Sequence, residues 1–280
     1  MIAEFIGTFI LIFIGCGSVI VAVTLGAIDL LGVGLMWSVA VALAIFAVGS
    51  ISGAHINPAV TITMAVFQGF DRAKVLPYIG SQIAGAFTAS AVLYLFWRGR
   101  IREFEAANDI TRGEEGSQLS GMLFTTYTPN PDAFGTDQAG WDQVPLWAGF
   151  IVEIVATAFL LLAVLYLTDA INAGRPLSNI APLFIGLTVG VLVVTAGPLT
   201  QASLNPARDF GPRLFILLAG WDSIAIPGPR SDMWVTILGP FVGGLVGGTI
   251  YMTLIRPFYP PAAEPGQVPE EVRAPSQADD

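Results

Sequence analysis

At 280 residues, with 54% hydrophobic and only 12% charged side chains and a mean hydropathy of +0.70, the chain is too apolar for a soluble domain and is expected to cross a membrane repeatedly. Its formal charge of −9 comes from 21 acidic against 12 basic residues, Lys74 being the one lysine, and no basic patch is present to hold a nucleic acid. Cys16 is the single cysteine and lies in an apolar run, which excludes a disulfide framework and a cysteine-based metal or redox motif.

Ile2 to Leu25 is the first predicted span, broken only by Glu4, Thr8 and small residues. No basic region or cleavage site precedes it, so no removable signal peptide is expected. Leu30 to Ser50 is the second span, with Trp37 in its apolar middle. Gly53 to Phe67 is too short to cross. A helix from Asn57 to Phe67 is about 16 Å long, roughly half of a hydrocarbon core some 30 Å thick. After the polar turn Asp71–Lys74, Tyr78 to Trp97 forms the third span. Residues 98–145 form a long polar connection with Thr-Pro, Pro-Asp and Gly turns. Leu146 to Thr168 and Ile180 to Leu199 are the fourth and fifth spans. Gln201 to Leu218 is a second short element, and Met233 to Ile255 the sixth span. From Pro257 on the chain is rich in proline and acid, and residues 261–280 are expected to be a disordered tail. The acid concentrated between Glu103 and Asp142 and in this tail fits a solvated face, and equally a high-salt habitat.

One tripeptide is written twice: Asn57-Pro58-Ala59 and Asn205-Pro206-Ala207. Asparagine is a strong N-cap, and proline suits the first helical position, where its missing N–H costs nothing. Glu4 with Thr8 recurs as Glu153 with Thr157, at nearly the spacing that separates the two asparagines. The chain is therefore expected to be one channel domain over residues 1–260, made of repeats at about 1–97 and 146–256. Three spans per half is an odd number, so the second half must enter from the opposite side. An all-α membrane protein follows, with six transmembrane helices and two re-entrant half-helices in an inverted repeat whose asparagine ends meet at the midplane. Gly80, Gln82 and Gly85 in the third span, and Gly239, Gly243 and Gly247 in the sixth, lie at helical spacing and are expected to admit close helix packing. Basic residues do not set the orientation: Arg72, Lys74, Arg175, Arg256 and Arg273 flank one side, and Arg98, Arg100, Arg102, Arg112, Arg213 and Arg230 the other.

The paired Asn-Pro-Ala motifs, Ser52-Gly-Ala-His55 before the first and Ala207-Arg-Asp-Phe-Gly-Pro212 after the second, resemble the major intrinsic proteins, the aquaporins and glycerol facilitators. Asp209, Arg213 and Phe124-Thr-Thr-Tyr-Thr-Pro-Asn-Pro131 resemble the glycerol-facilitator branch. The resemblance implies homotetramers with one pore per subunit, a multi-pass place in the plasma membrane and cytoplasmic termini. It also implies passive passage of glycerol and other small uncharged solutes with water, and no enzymatic activity, cofactor or metal. Trp37 and Arg208 match the facilitator filter, whereas Ala202 stands where facilitators carry Phe and Val193 where they carry Gly. Trp37, Val193, Ala202 and Arg208 together resemble the filter of plant nodulin-type intrinsic proteins, which extends the expected solutes to ammonia. Urea is a further expected solute.

Several residue roles are expected on these grounds. Asn57 and Asn205 should hold their oxygens on local backbone N–H groups and aim amide donors into the pore. Gly53, Ala54 and His55, with Gln201, Ala202 and Ser203, should supply a ladder of backbone carbonyls, since irregular backbone at membrane depth survives only where it lines a cavity or is buried in protein. His55 lacks the companions a metal site or a base would need and is expected to brace its loop. Glu4 and Glu153 are expected to accept backbone N–H groups of those loops rather than to relay protons, and Asp209 is assigned to the same bracing set. Arg208 should repel cations and offer donors to hydroxyls, with Trp37 as an apolar wall. A water-selective aquaporin, an ion-coupled secondary transporter and a membrane enzyme are the rival readings. The last two need a titratable or nucleophilic centre that the neutral amides of the repeat do not offer.

Overall fold

A computed structural model describes residues 1–176 and 179–260, and within them the regular structure is helical throughout. Six helices are long and apolar enough to cross a membrane. In the first half these are α1 (Ile2–Leu25), α2 (Leu30–Ser52) and, after the half-length α3 (Pro58–Phe67), α4 (Val75–Ala107). Short helices α5 (Gln118–Gly121), α6 (Pro131–Phe134) and α7 (Gln138–Gln143) shape the long connection. The second half repeats the order with α8 (Leu146–Thr168), α9 (Ala181–Thr200), the short α10 (Pro206–Ile216), the single turn α11 (Asp222–Ala225) and α12 (Met233–Ile250). The tail expected over residues 261–280 lies outside the described residues.

The helix ends follow local chemistry. Gly26 closes α1 in the left-handed conformation at φ 60°, its N–H bonded to Ala22 O. Asp29 caps α2 by accepting from the Gly32 N–H. The half-helices α3 and α10 begin on Asn57 and Asn205, each followed by proline. One span, and the start of the proline- and acid-rich stretch after the last, differ from expectation. The helix α4 runs 33 residues to Ala107 rather than stopping at Trp97. Apolarity, which set the expected end, is lost ten residues before helicity is. Beyond the membrane the helix is tied by Arg112, whose guanidinium pairs with Glu105 at 2.8 Å and lies 4.0 Å from the Trp221 ring centroid. Pro257, expected to begin the tail, lies in a 3₁₀ turn over Arg256–Phe258.

The packing carries the symmetry of the repeat. α1 packs on α2 and α4 as α8 packs on α9 and α12, and α2 meets α9 across the centre. The half-helices are exchanged: α3 packs against α12 of the other half, and α10 against α4. Neither half therefore completes its own core. Small residues permit these approaches. A Cβ at Gly239 would lie 2.6 Å from Glu153 Cβ, and one at Gly243 2.8 Å from Thr157 Cβ; Gly247 abuts Ala158 and Gly85 abuts the backbone of Phe5. Gly80 is the exception, with open space where its Cβ would be. The helical spacing that grouped it with Gly85 does not place it at the contact.

Gly243→Leu should wedge α12 from α8 at a cost of at least about 1–3 kcal/mol. Gly80→Leu should be tolerated. Monodisperse yield in detergent, followed by size-exclusion chromatography of the two variants, checks the contrast.

Candidate functional site

The two half-helices meet at their N-termini. The side-chain oxygen of Asn57 accepts from Ala59 N–H at 2.8 Å, and that of Asn205 from Ala207 N–H at 3.0 Å and Arg208 N–H at 3.2 Å. Their amide nitrogens cross between the halves: Asn57 Nδ2 donates to Leu204 O and Asn205 Nδ2 to Ile56 O, each at 2.8 Å. This revises the expected geometry, because one N–H of each amide is engaged by the opposite loop and only the other is left for the cavity beside it.

The segments leading into the half-helices have the same unusual backbone in both copies. Ala54 and Ile56 have φ of 47° and 45°, matched by Ala202 and Leu204 at 48° and 54°. Non-glycine residues in this left-handed region cost about 1–3 kcal/mol each and persist only where their surroundings hold them. The hold is visible. Glu4, fully buried in α1, accepts from His55 N–H at 3.0 Å and Ile56 N–H at 2.7 Å, and also from Ser52 Oγ and Gln82 Nε2. Glu153 in α8 accepts from Ser203 N–H and Leu204 N–H, both at 2.9 Å. Asp209 grips the loop that carries Thr125 and Thr126 rather than a re-entrant segment. It accepts from Thr126 N–H, from the Thr125, Thr126 and Thr236 hydroxyls, and from Arg213 Nε at 2.8 Å. Arg213 is consequently a fully buried ion-pair partner, not a residue flanking the membrane. The His55 ring lies 4.6 Å from Phe70 and 5.2 Å from Tyr78, centroid to centroid, with Nδ1 3.2 Å from Thr61 Oγ1.

Two cavities open along the axis between the halves. The larger, about 310 Å³, is lined by Asn57, Asn205, Gly53, Ala54, His55 and Ser203 among polar and backbone groups, with apolar walls reaching Ile45, Met64 and Thr168. The smaller, about 180 Å³, lies beyond it toward Asp29, Asn130 and Asp132, and takes in Gln201. Trp37, Val193 and Arg208 line both, and so stand at the junction; Ala202 lines the larger. Gly15 leaves room for the Trp37 ring, which a Cβ there would meet at 2.6 Å. The Arg208 guanidinium carbon lies 4.8 Å from the Trp37 ring centroid, and Nη1 donates to Phe124 O at 2.9 Å. Cys16 Sγ lies 3.2 Å from the same oxygen and 3.8 Å from Arg208 Nη1. Phe124 and Cys16 were not among the expected site residues. The only trace of Phe124 in the sequence is its place in the Phe-Thr-Thr-Tyr motif. Among the described residues no cluster of His, Cys, Asp and Glu could hold a metal ion.

The sequence pattern of the family described as Major intrinsic protein matches residues 1–251. A glycerol uptake facilitator protein of Pseudomonas aeruginosa is 42% identical over 277 residues, 98% of this chain and 95% of that protein. A glycerol uptake facilitator protein of Escherichia coli is 43% identical over 258 residues, 91% and 87% of the two chains. Among solved structures, the aquaglyceroporin from Plasmodium falciparum superposes with a TM-score of 0.76 at 28% identity, covering 91% of this chain and 96% of that one. The chain belongs to the major intrinsic protein family, and is a multi-pass membrane protein of that fold.

Glu153→Ala should strand the N–H groups of Ser203 and Leu204 at about 1–3 kcal/mol each, and Glu4→Ala those of His55 and Ile56. Glu→Gln at either site keeps an acceptor and should retain most of the folded protein. Thermal unfolding in detergent ranks the variants. A Gln variant of parental stability without flux would assign these carboxylates to a proton relay instead.

Proposed function

We propose that the chain is a passive channel for glycerol and similar small uncharged solutes, with water, and that the two cavities are its path. The observation that carries the reading is their junction: Trp37, Val193 and Arg208 border both, and both asparagines face the larger. The names of the facilitator relatives support glycerol as the solute.

A solute entering from the smaller cavity meets the guanidinium of Arg208 and the face of Trp37. The donors of Arg208 replace part of its hydration at the hydroxyls, while the carbon backbone lies against the indole. Carbonyls of the two irregular segments then accept hydrogen bonds from its hydroxyls. At the centre, Asn57 and Asn205 each present a remaining N–H, so a hydroxyl or water accepts from both and donates outward. The N-terminal ends of α3 and α10 add positive potential there, which with Arg208 excludes cations and protons. No step changes a covalent bond. The chain acts as a homotetramer with one path per subunit, in the plasma membrane with cytoplasmic termini, and passes urea and ammonia to some extent.

Stopped-flow light scattering on proteoliposomes, under glycerol, urea and water gradients, tests the reading. Glycerol flux should exceed that of empty vesicles and should persist after the proton gradient is collapsed. Loss of flux on collapse would point to an ion-coupled transporter, and water flux without glycerol flux to a water-selective channel.

The shape of the junction gives a second test. Ala202, with φ at 48°, offers only a methyl group where facilitators carry an aromatic ring, and Val193 restores part of that volume on a neighbouring wall. Ala202→Phe should narrow this corner and lower the urea-to-glycerol permeability ratio. An unchanged or higher ratio in reconstituted channels would remove Ala202 from the filter.

A further inference from the structure

We propose that Gln201 is a positioning residue for Arg208, and through it a determinant of which solutes pass; the inference rests on the channel function proposed above. The two halves differ at this point. Gly53 closes α2 in the left-handed conformation at φ 83°, and its counterpart Gln201 closes α9 in the same way at φ 56°. Each turn is completed by the same backbone bond, to Gly49 O and Gly197 O respectively, so the turn itself asks for nothing but a left-handed residue. Glycine adopts that conformation freely, whereas a residue with a Cβ does so against a steric penalty. A glutamine in the place that glycine fills in the other half therefore points to work done by its side chain.

That side chain closes a loop. Gln201 Oε1 accepts from Tyr127 N–H at 2.9 Å, and Nε2 donates to Met122 O at 3.3 Å. One amide thereby ties both ends of the segment from Met122 to Tyr127. The carbonyl of Phe124, in the middle of that segment, is the one oxygen within hydrogen-bond reach of the Arg208 guanidinium among the described residues. Cys16 Sγ bonds the same carbonyl from α1, and Asp209 grips Thr125 and Thr126 from behind. Arg213 holds the Thr126 carbonyl, and Gln201 adds a restraint of its own from the side of the re-entrant loop. It lines the smaller cavity together with Arg208, so the tie runs along the wall of the path itself.

With the tie removed, the segment is held at fewer points, the Phe124 carbonyl gains room to shift, and Arg208 has a less firmly fixed partner. The guanidinium then leans further over the Trp37 face, 4.8 Å away in the intact arrangement, and crosses the opening that Ala202 leaves. Glycerol needs a wider opening than water, so selectivity moves toward water.

The test uses the full chain in proteoliposomes, with water and glycerol permeabilities read on the same vesicles. Gln201→Gly keeps the left-handed turn and removes the side chain with its amide. It should leave the unfolding temperature equal or higher and raise the water-to-glycerol permeability ratio by about threefold or more, a change of the size expected for one hydrogen-bond restraint. In an Arg208→Val background the same replacement should leave the ratio unmoved, since the effect acts through the guanidinium. A ratio equal to the parent's overturns the proposal, and so does an equal shift with and without Arg208. Gln201→Glu keeps the acceptor for Tyr127 and loses the donor to Met122. It should shift the ratio in the same direction by a smaller factor, and no shift overturns the proposal even if the glycine variant is poorly produced. A parent protein that carries no glycerol defeats the functional reading and this inference together. A conducting parent matched by all its Gln201 variants defeats this inference alone.

Discussion

Everything at the centre of this protein depends on where the N–H groups of two short irregular segments are satisfied. A path through a membrane can use backbone carbonyls as acceptors only if the chain is neither helix nor strand there, and such a chain leaves its N–H groups without partners. Glu4 and Glu153 supply those partners, each accepting two consecutive N–H groups from the segment that precedes a half-helix. A carboxylate suits the task because both oxygens accept and neither donates. Buried unpaired, it would be costly; saturated with donors, it holds left-handed residues such as Ile56 and Leu204 in place. The helix packing serves the same end, since Gly239 lies directly against Glu153 and lets α12 close over it.

The second constraint is mutual. Each asparagine caps its own half-helix with its oxygen and bonds the opposite segment with its nitrogen. Cap and cross-link thus come from one amide, and neither half-helix can shift along the axis without breaking the cross-links. Because α3 packs on α12 and α10 on α4, the same exchange is made again by apolar contact. The centre is therefore held from both halves at once, as it must be if two N–H donors are to hold a fixed spacing.

Much of this was legible in the sequence because it is written in repeated, chemically unambiguous residues. Asn-Pro-Ala twice, with a glutamate in each first span, is enough to place half-helices, their caps and their braces. What was not legible depends on contacts between residues far apart in the chain. Arg213 looks like any basic residue near a span end; only the fold shows it sealed against Asp209. Cys16 is one apolar-run residue among many until Phe124, 108 positions later, brings a carbonyl to it. The end of α4 escaped for another reason: residues 98–107 mix charges with apolar residues such as Ile101 and Phe104, and a helix that has left the membrane no longer shows a continuous apolar run. Gly80 shows the converse, a correct spacing with nothing opposite it.

These two classes of residue also divide the labour of the site. The buried glutamates and the two asparagines hold backbone, and truncating them disturbs the fold. Val193 and Ala202 hold nothing with their side chains; they only border space. Arg208 lies between the classes, since it borders space yet owes its orientation to a carbonyl on a separate loop. In the proposed channel, Val193 and Ala202 can therefore change the shape of the cavity while the scaffold stays fixed. The filter of that proposed channel is thus set by Trp37, Val193, Ala202 and Arg208 together with the loop whose Phe124 carbonyl holds the one charged member.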